Sequence, residues 1–283
     1  MQPHNKTAAL SFSKLGGSAQ HQISHGSEIL FRIGYAAYGL IYLLIGSLAF
    51  ALAIGMGGKI TDPKGALATI GQQPFGKFIL LLLGVGLVGY VLWRFAQAFL
   101  NIEHKPNKAK YIFARIGQAI SGIIYSAIAV VAIRGFMAEG QTSSGGGSPW
   151  ARLMAMDGGH YIIMAVGAIL LIVAATQVFK GVKEKFMEGF EGAHMTADEE
   201  KAVRVSGKVG YIARGVTFAI IGYFCLKAGF QHDPSEAKTT KSALEFIAAQ
   251  PFGTIALGVV AAGFIAFAIH CLLAAKNQRF ARV

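Results

Sequence analysis

Carboxylates are scarce in this chain, and they are missing where chemistry inside a membrane would need them. The 283 residues hold 14 Asp and Glu against 26 Lys and Arg, and only 14% are charged, well under the quarter or so usual in a soluble domain. No acid falls within the long apolar runs, at roughly 33–54, 78–100, 116–136, 160–179, 209–229 and 254–275. A carboxylate proton relay or a cation-coupled carrier needs an acid at membrane depth, so neither is expected. Cysteine is nearly as rare. Cys225 and Cys271 fall in opposite leaflets of the topology below, too far apart for a bridge that needs Cα atoms within about 7 Å. They read as two small buried side chains. Gly-x-Ser-x-Gly, His-Glu-x-x-His, Cys-x-x-Cys and phosphate-loop patterns do not occur, which removes the familiar hydrolase, metalloprotease, redox and nucleotide sites. His270 is the one histidine well inside an apolar run and has no second ligand at its depth. Neither a metal nor a cofactor is expected.

What the chain does have is hydrophobicity: 54% of residues and a mean hydropathy of +0.51. Each apolar run approaches the roughly 20 residues that cross a bilayer core as a helix, so six transmembrane helices are expected. With the N-terminus inside, more than two thirds of the Lys and Arg gather on the side that holds both termini. The positive-inside rule makes that side the cytoplasm. The net charge of +12 then serves topology and attracts anionic headgroups of membrane lipids. No nucleic-acid partner is expected. The first residues are polar without an apolar signal core, so 1–29 reads as a flexible cytoplasmic tail and not as a signal peptide.

The runs repeat. Arg32-Ile-Gly-Tyr-Ala-Ala-Tyr-Gly-Leu-Ile-Tyr42 returns as Arg115 to Tyr125 and as Lys208 to Phe218. Each copy has a cation, Gly two and seven residues later, and an aromatic at ten. Arg32 to Gly76 and Arg115 to Gly159 span equal lengths, and Lys208 to Gly253 is one longer. Gln73-Pro-Phe-Gly76 recurs as Gln250-Pro-Phe-Gly253, where the middle copy keeps Asp157-Gly-Gly159. Such internal repeats fix architecture before any motif is weighed. Three tandem helical hairpins follow, over 30–108, 109–192 and 193–283, arranged with pseudo-threefold symmetry about the membrane normal. Each external segment should hold a short helix, started by Asp62-Pro63 and Ser148-Pro149 in the first two. The glycines at 145–147 read as a hinge. The longest internal connection, 180–208, places Val182, Phe186 and Phe190 at helical spacing, which suits a helix lying in the membrane interface or docking a protein partner. Thr196 to Glu199 forms a capping box for the helix after it.

Gly210-Tyr-Ile-Ala-Arg-Gly215, Asp233-Pro-Ser-Glu-Ala237, and Ala243-Leu244 with Gln250-Pro-Phe-Gly253 resemble the bacterial membrane family called domain of unknown function 1206. The resemblance covers about residues 30–280. It implies tandem two-helix modules and a location in the bacterial plasma (inner) membrane, and it implies no reaction.

Candidate functional residues follow from helical faces. Offsets 0, +3, +4, +7 and +11 share one side of a helix. They give Tyr35, Tyr38, Gly39, Tyr42 and Gly46; then Gln118, Ser121, Gly122, Tyr125 and Ala129; then Tyr211, Arg214, Gly215, Phe218 and Gly222. Polar groups beside small residues belong inside the bundle and not in lipid. The returning helices add Arg94, with Tyr90 and Gln97 on its face, and Gln177, with Cys271 at the third equivalent position. Arg94 and Arg214 lie near the cytoplasmic boundary, where they can snorkel to headgroups. Alternatively, Arg94, Gln177 and Arg214 form an inner polar gate. Tyr38, Ser121 and Arg214 occupy equivalent places, and that asymmetry marks where a site would lie. A non-enzymatic membrane protein that binds partners or lipids is the expected function. The alternative is a transporter or channel for a small or anionic solute through the bundle.

Overall fold

The structure, a computed structural model, describes residues 32–99, 109–137 and 149–278. The tail expected over 1–29, the hinge at 145–147, Ser148 and the chain beyond 278 lie outside the described residues, as does the Gln97 side chain. The elements run α1 (Arg32–Ala53), then α2 (Pro63–Gly71), α3 (Gly76–Phe99), α4 (Ala109–Met137), α5 (Pro149–Met154) and α6 (Gly159–Val182). A 3-10 turn (Lys185–Phe190), α7 (Ala197–Gln231), α8 (Thr240–Ala248) and α9 (Gly253–Asn277) complete them. Long, short, long is therefore repeated three times. Among the described residues α1, α6, α7 and α9 are long and apolar enough to cross a membrane; α3 and α4 carry shorter apolar stretches, Gly76–Leu92 and Ser121–Met137. Helices suit such sequence because each satisfies its own backbone polar groups without water.

Two of the short helices, α2 and α8, are capped and docked. Asp62 accepts the Gly65 N–H at 2.8 Å with Pro63 behind it. Thr239 and Ser242 exchange backbone–side-chain bonds at the start of α8, a box the sequence reading missed. Ala66, Leu67 and Ile70 of α2, and Ala243, Leu244 and Ile247 of α8, are buried. Both therefore lie with their apolar faces down on the long helices. The turn that follows is the same in all three repeats. Phe75, Gly158 and Phe252 adopt φ of 61°, 72° and 59°. The next residue is always glycine. A Cβ on Gly76, Gly159 or Gly253 would stand 2.0, 1.8 or 2.1 Å from the carbonyl oxygen of Ile70, Leu153 or Ala248, so no side chain fits there.

Neighbouring repeats join through glycine contacts. A Cβ on Gly84 would meet Ile133 of α4, one on Gly222 would meet the Gly167 carbonyl of α6, and one on Gly46 would meet the Ala261 carbonyl of α9. Thus α3 packs on α4, α6 on α7, and α9 on α1. The helices of one repeat also meet each other in the first and third copies, through Gly34 on Tyr90 and through Gly210 on Phe267. The second copy differs: among the described residues α4 and α6 make no such close packing. Only 17% of the most apolar window of α6 is buried, against 44–50% for α1, α7 and α9.

The cations that open the repeats cap helices. Arg32 donates to the carbonyls of Ala275 and Lys276 at the end of α9, and Arg115 donates to Ala98 and Phe99 at the end of α3. Carbonyl ends of helices carry partial negative charge and lack partners, so each cation ties its repeat to the preceding one. In the third copy Lys208 faces Glu184 at 4.0 Å instead. The interfacial helix expected through Val182, Phe186 and Phe190 does not form. The helix ends at Val182, and Glu184 takes a φ of 53° where it pairs with Arg204. Phe186 and Phe190 turn inward against Tyr211 and His270.

Candidate functional site

The polar stripes of the long helices meet in a buried aromatic layer. Tyr38 of α1 is its hub, 4% exposed, with ring centroids 5.0 Å from Tyr42, 5.0 Å from Tyr125 of α4, 5.6 Å from Tyr90 of α3 and 5.6 Å from Phe267 of α9. Tyr42 also abuts Phe264 and Phe267. Edge-to-face rings at such separations attract beyond simple contact, by about 0.5–1.5 kcal/mol a pair. Side chains therefore fill the middle of the bundle at this level.

Arg214 of α7 enters this layer, 8% exposed. Its guanidinium carbon lies 4.2 Å from the Phe267 centroid, 5.2 Å from Tyr42 and from Phe218, and 5.5 Å from Tyr38. Gln177 of α6, with its amide oxygen turned to the guanidinium, accepts from both Nη1 and Nη2 at 3.2 Å. The Arg214 Nε–H is buried with no hydrogen-bond partner. Ring faces give a desolvated cation about 2 kcal/mol, and hydrogen bonds to a charge about 1.5–3 kcal/mol. Neither neutralises it, and the apolar runs offer no carboxylate. Burying a charge without a counter-ion costs several kcal/mol.

Arg94 has a different surrounding. Its Nε donates to the Tyr90 hydroxyl at 2.9 Å, with the guanidinium 4.8 Å from that ring. Ser121 is half-buried on the α4 face that carries Tyr125. Of the expected gate, Gln177 and Arg214 thus meet directly, while Arg94 reaches Tyr90. The glycines seven residues into each repeat were placed on the inward stripe, and they lie elsewhere: Gly39 abuts Cys271, Gly122 abuts Phe95, and Gly215 abuts Val178. They seat each repeat on the preceding one.

Two participants were not singled out from sequence, Phe264 and Phe267, whereas Tyr90 was placed on the Arg94 face of its helix. Tyr90 and Phe267 stand four residues before Arg94 and Cys271, and that shared spacing was the available signal. His270 sits in a cage of Phe186, Phe190, Tyr211 and Phe267, with its Nδ1 buried and unpartnered. Among the described residues no three His, Cys, Asp or Glu gather as a metal site would need. The layer's chemistry is that of a cation in an aromatic box, able to hold a negative charge.

Comparison with known proteins agrees with the repeat. The "Uncharacterized protein YxxB" of Bacillus subtilis (strain 168) is 32% identical over 242 residues, covering 86% of this chain and 88% of that protein. No solved structure matches. The family model described as Domain of Unknown Function (DUF1206) matches three times in tandem, over 33–101, 116–184 and 209–278, and the chain belongs to that family.

Proposed function

We propose that this chain is a non-enzymatic protein of the bacterial plasma membrane that crosses the bilayer six times and binds anionic lipid in the cytoplasmic leaflet. Both termini face the cytoplasm in this reading. Six passes are supported by α3 and α4, which match the longer helices in place within their repeats and carry apolar stretches of their own. The cytoplasmic side is the end where α6 stops and α7 starts, rich in Lys and Arg, which the positive-inside rule favours.

A groove between α6 and α7 carries the lipid reading. It has a volume of about 640 Å³, lined by Leu171, Ala174, Val178, Phe179, Val182 and Val216, among others, with Lys183 at its end. An acyl chain fits the apolar length, and a phosphate headgroup meets the lysine at the membrane surface, where each cation contributes about 1 kcal/mol toward anionic lipid. Native mass spectrometry of the purified protein in mixed micelles tests this. Phosphatidylglycerol should be retained over phosphatidylethanolamine, and Lys183→Glu should abolish the preference. Equal retention of the two lipids refutes the reading.

Passage of a small anion through the bundle is the second reading. The buried Arg214 guanidinium favours it. Tyr38, in contact with four rings, fills the path it would need.

A further inference from the structure

The second repeat breaks a packing rule that the other two obey. In the first and third, the returning helix carries a glycine against the outgoing one: a Cβ on Gly86 would meet Ala37 at 3.1 Å, and one on Gly263 would meet Ala213 at 2.2 Å. One turn later each has a large ring, Tyr90 or Phe267, that reaches into the centre. The second repeat has Ile169 and Val173 at these positions. A β-branched side chain where backbones must touch holds two helices apart. Consistent with that, Ile169 is 37% exposed, and among the described residues α4 and α6 do not pack closely on each other. Val173 has no ring to send inward. On α4, Tyr125 is only half-buried, whereas its counterpart Tyr42 on α1 is buried.

Gln177 stands one turn beyond Val173 on α6 and holds Arg214. It occupies the end-on edge of the guanidinium, between Nη1 and Nη2. The side-on edge is made of the unpartnered Nε–H and the adjacent Nη–H; the Nε is closed off from solvent, so a ligand reaches it only when a neighbouring side chain swings aside. That edge is the planar fork that matches the two oxygens of a carboxylate. The rings around Tyr38 fill the centre of the bundle, and among the described residues α4 and α6 are a hairpin pair without close packing, so the approach with least to displace is sideways, between them.

We propose that the gap between α4 and α6 is a lateral portal through which a single-chain amphiphile of the fatty-acid type places its carboxylate on Arg214 and Gln177, its tail remaining in the bilayer. The ligand's charge neutralises a guanidinium that no carboxylate among the described residues pairs with, and its headgroup takes the place that Tyr90 and Phe267 occupy in the other repeats. This site is separate from the α6–α7 groove, and Lys183 takes no part in it.

The test uses the full chain in neutral detergent with radiolabelled oleate as the probe. Oleyl alcohol and acetate are the competitors, one keeping the tail and the other the carboxylate. Oleate should bind saturably, with neither competitor displacing it at equal concentration. Arg214→Gln should weaken binding at least about tenfold, the scale of losing a charge-assisted bidentate pair. Val173→Phe, which restores the ring found in the third repeat, should weaken it comparably while leaving Arg214 in place. It keeps the test decisive if the arginine variant does not fold. Lys183→Glu should leave oleate binding unchanged, so that failure of the groove reading and of this one are told apart. Competition by oleyl alcohol as strong as by unlabelled oleate, or undiminished binding in Val173→Phe, overturns the proposal. Displacement by equimolar acetate overturns it too, and assigns the site to a water-borne carboxylate.

Discussion

The turn before α9 gives two adjacent substitutions with opposite expected signs. Phe252 has a φ of 59° and is 83% exposed, so its ring contributes little packing to the fold. The left-handed conformation costs a non-glycine residue roughly 1–2 kcal/mol. Phe252→Gly removes that strain but frees the unfolded chain, at about 0.4–1 kcal/mol. The net expectation is a gain of about 0.5–1 kcal/mol. Its neighbour behaves the other way. A Cβ on Gly253 would lie 2.1 Å from the Ala248 oxygen and 2.5 Å from the Ala248 carbonyl carbon, where ordinary contact begins near 3.4 Å. Both are backbone atoms and cannot rotate aside. Gly253→Ala must therefore part the turn by about an ångström, breaking the Gly253 N–H bond to Gln250, 2.7 Å long. That bond sets a floor of about 1 kcal/mol. The ceiling is the undocking of α8, whose buried Leu244 and Ile247 contribute about 1.5–3 kcal/mol each. A loss of about 2–5 kcal/mol is expected. Unfolding of both variants in one detergent, followed by circular dichroism against temperature or added denaturing detergent, reads the two signs side by side. The first repeat offers a replicate in Phe75 and Gly76, and the second already has Gly158 in the strained place. Destabilisation by Phe252→Gly together with neutrality of Gly253→Ala would refute the account of this turn.

Three further outcomes are expected. Thr239→Ala removes the acceptor that caps α8 and should cost about 1 kcal/mol, visible in the same unfolding assay as a loss that Thr239→Ser largely restores. Gln177→Leu leaves the Arg214 guanidinium without its hydrogen-bonded partner and should cost about 3 kcal/mol or more, whereas Arg214→Met combined with Gln177→Leu should be near neutral or stabilising, because removing a buried charge with its partner recovers desolvation energy. Gly222→Leu drives a side chain against the Gly167 carbonyl, already 2.9 Å from where its Cβ would stand, and should separate α6 from α7; a cysteine pair placed across that contact should then cross-link in the parent and not in the variant.

The repeat was legible because its residues answer steric demands that recur. The glycine after Pro-Phe has to be glycine, and the eye finds it at matched spacing. Asp62-Pro63 and Thr196 to Glu199 were legible because a cap is a local matter, settled within four residues. What escaped is settled between segments far apart in sequence. Arg32 and Arg115 were counted among the cytoplasmic cations that attract headgroups, because their partners, the carbonyls at the ends of α9 and α3, are carried by backbone and leave no trace in side-chain identity. The glycines seven residues on were assigned to the inward stripe because helical periodicity gives a face and not what lies opposite it. Phe186 and Phe190 had the spacing of an interfacial helix, but Glu184 in a left-handed conformation and its pairing with Arg204 redirect the chain toward His270. No local pattern predicts that turn.

The asymmetry among the repeats has a physical logic that bears on function. Three identical modules would close the ring with three glycine contacts and fill the centre with equivalent rings, leaving neither a gap nor a reason for a buried charge. The first and third repeats follow that plan at Gly86 with Tyr90 and at Gly263 with Phe267. The second abandons it at Ile169, Val173 and Gln177 together, along one side of α6. Arg214, on the helix packed directly after α6, is the residue to which Gln177 turns. The absent glycine, the absent ring and the amide coincide along α6 beside a cation that no carboxylate among the described residues pairs with. Restoring the ring alone, with Val173→Phe, should therefore change ligand binding with little change in stability. Restoring the glycine alone, with Ile169→Gly, should draw α4 and α6 together and slow exchange of a bound amphiphile. Should both variants exchange oleate at the parent rate, the divergence of the second repeat is packing without consequence.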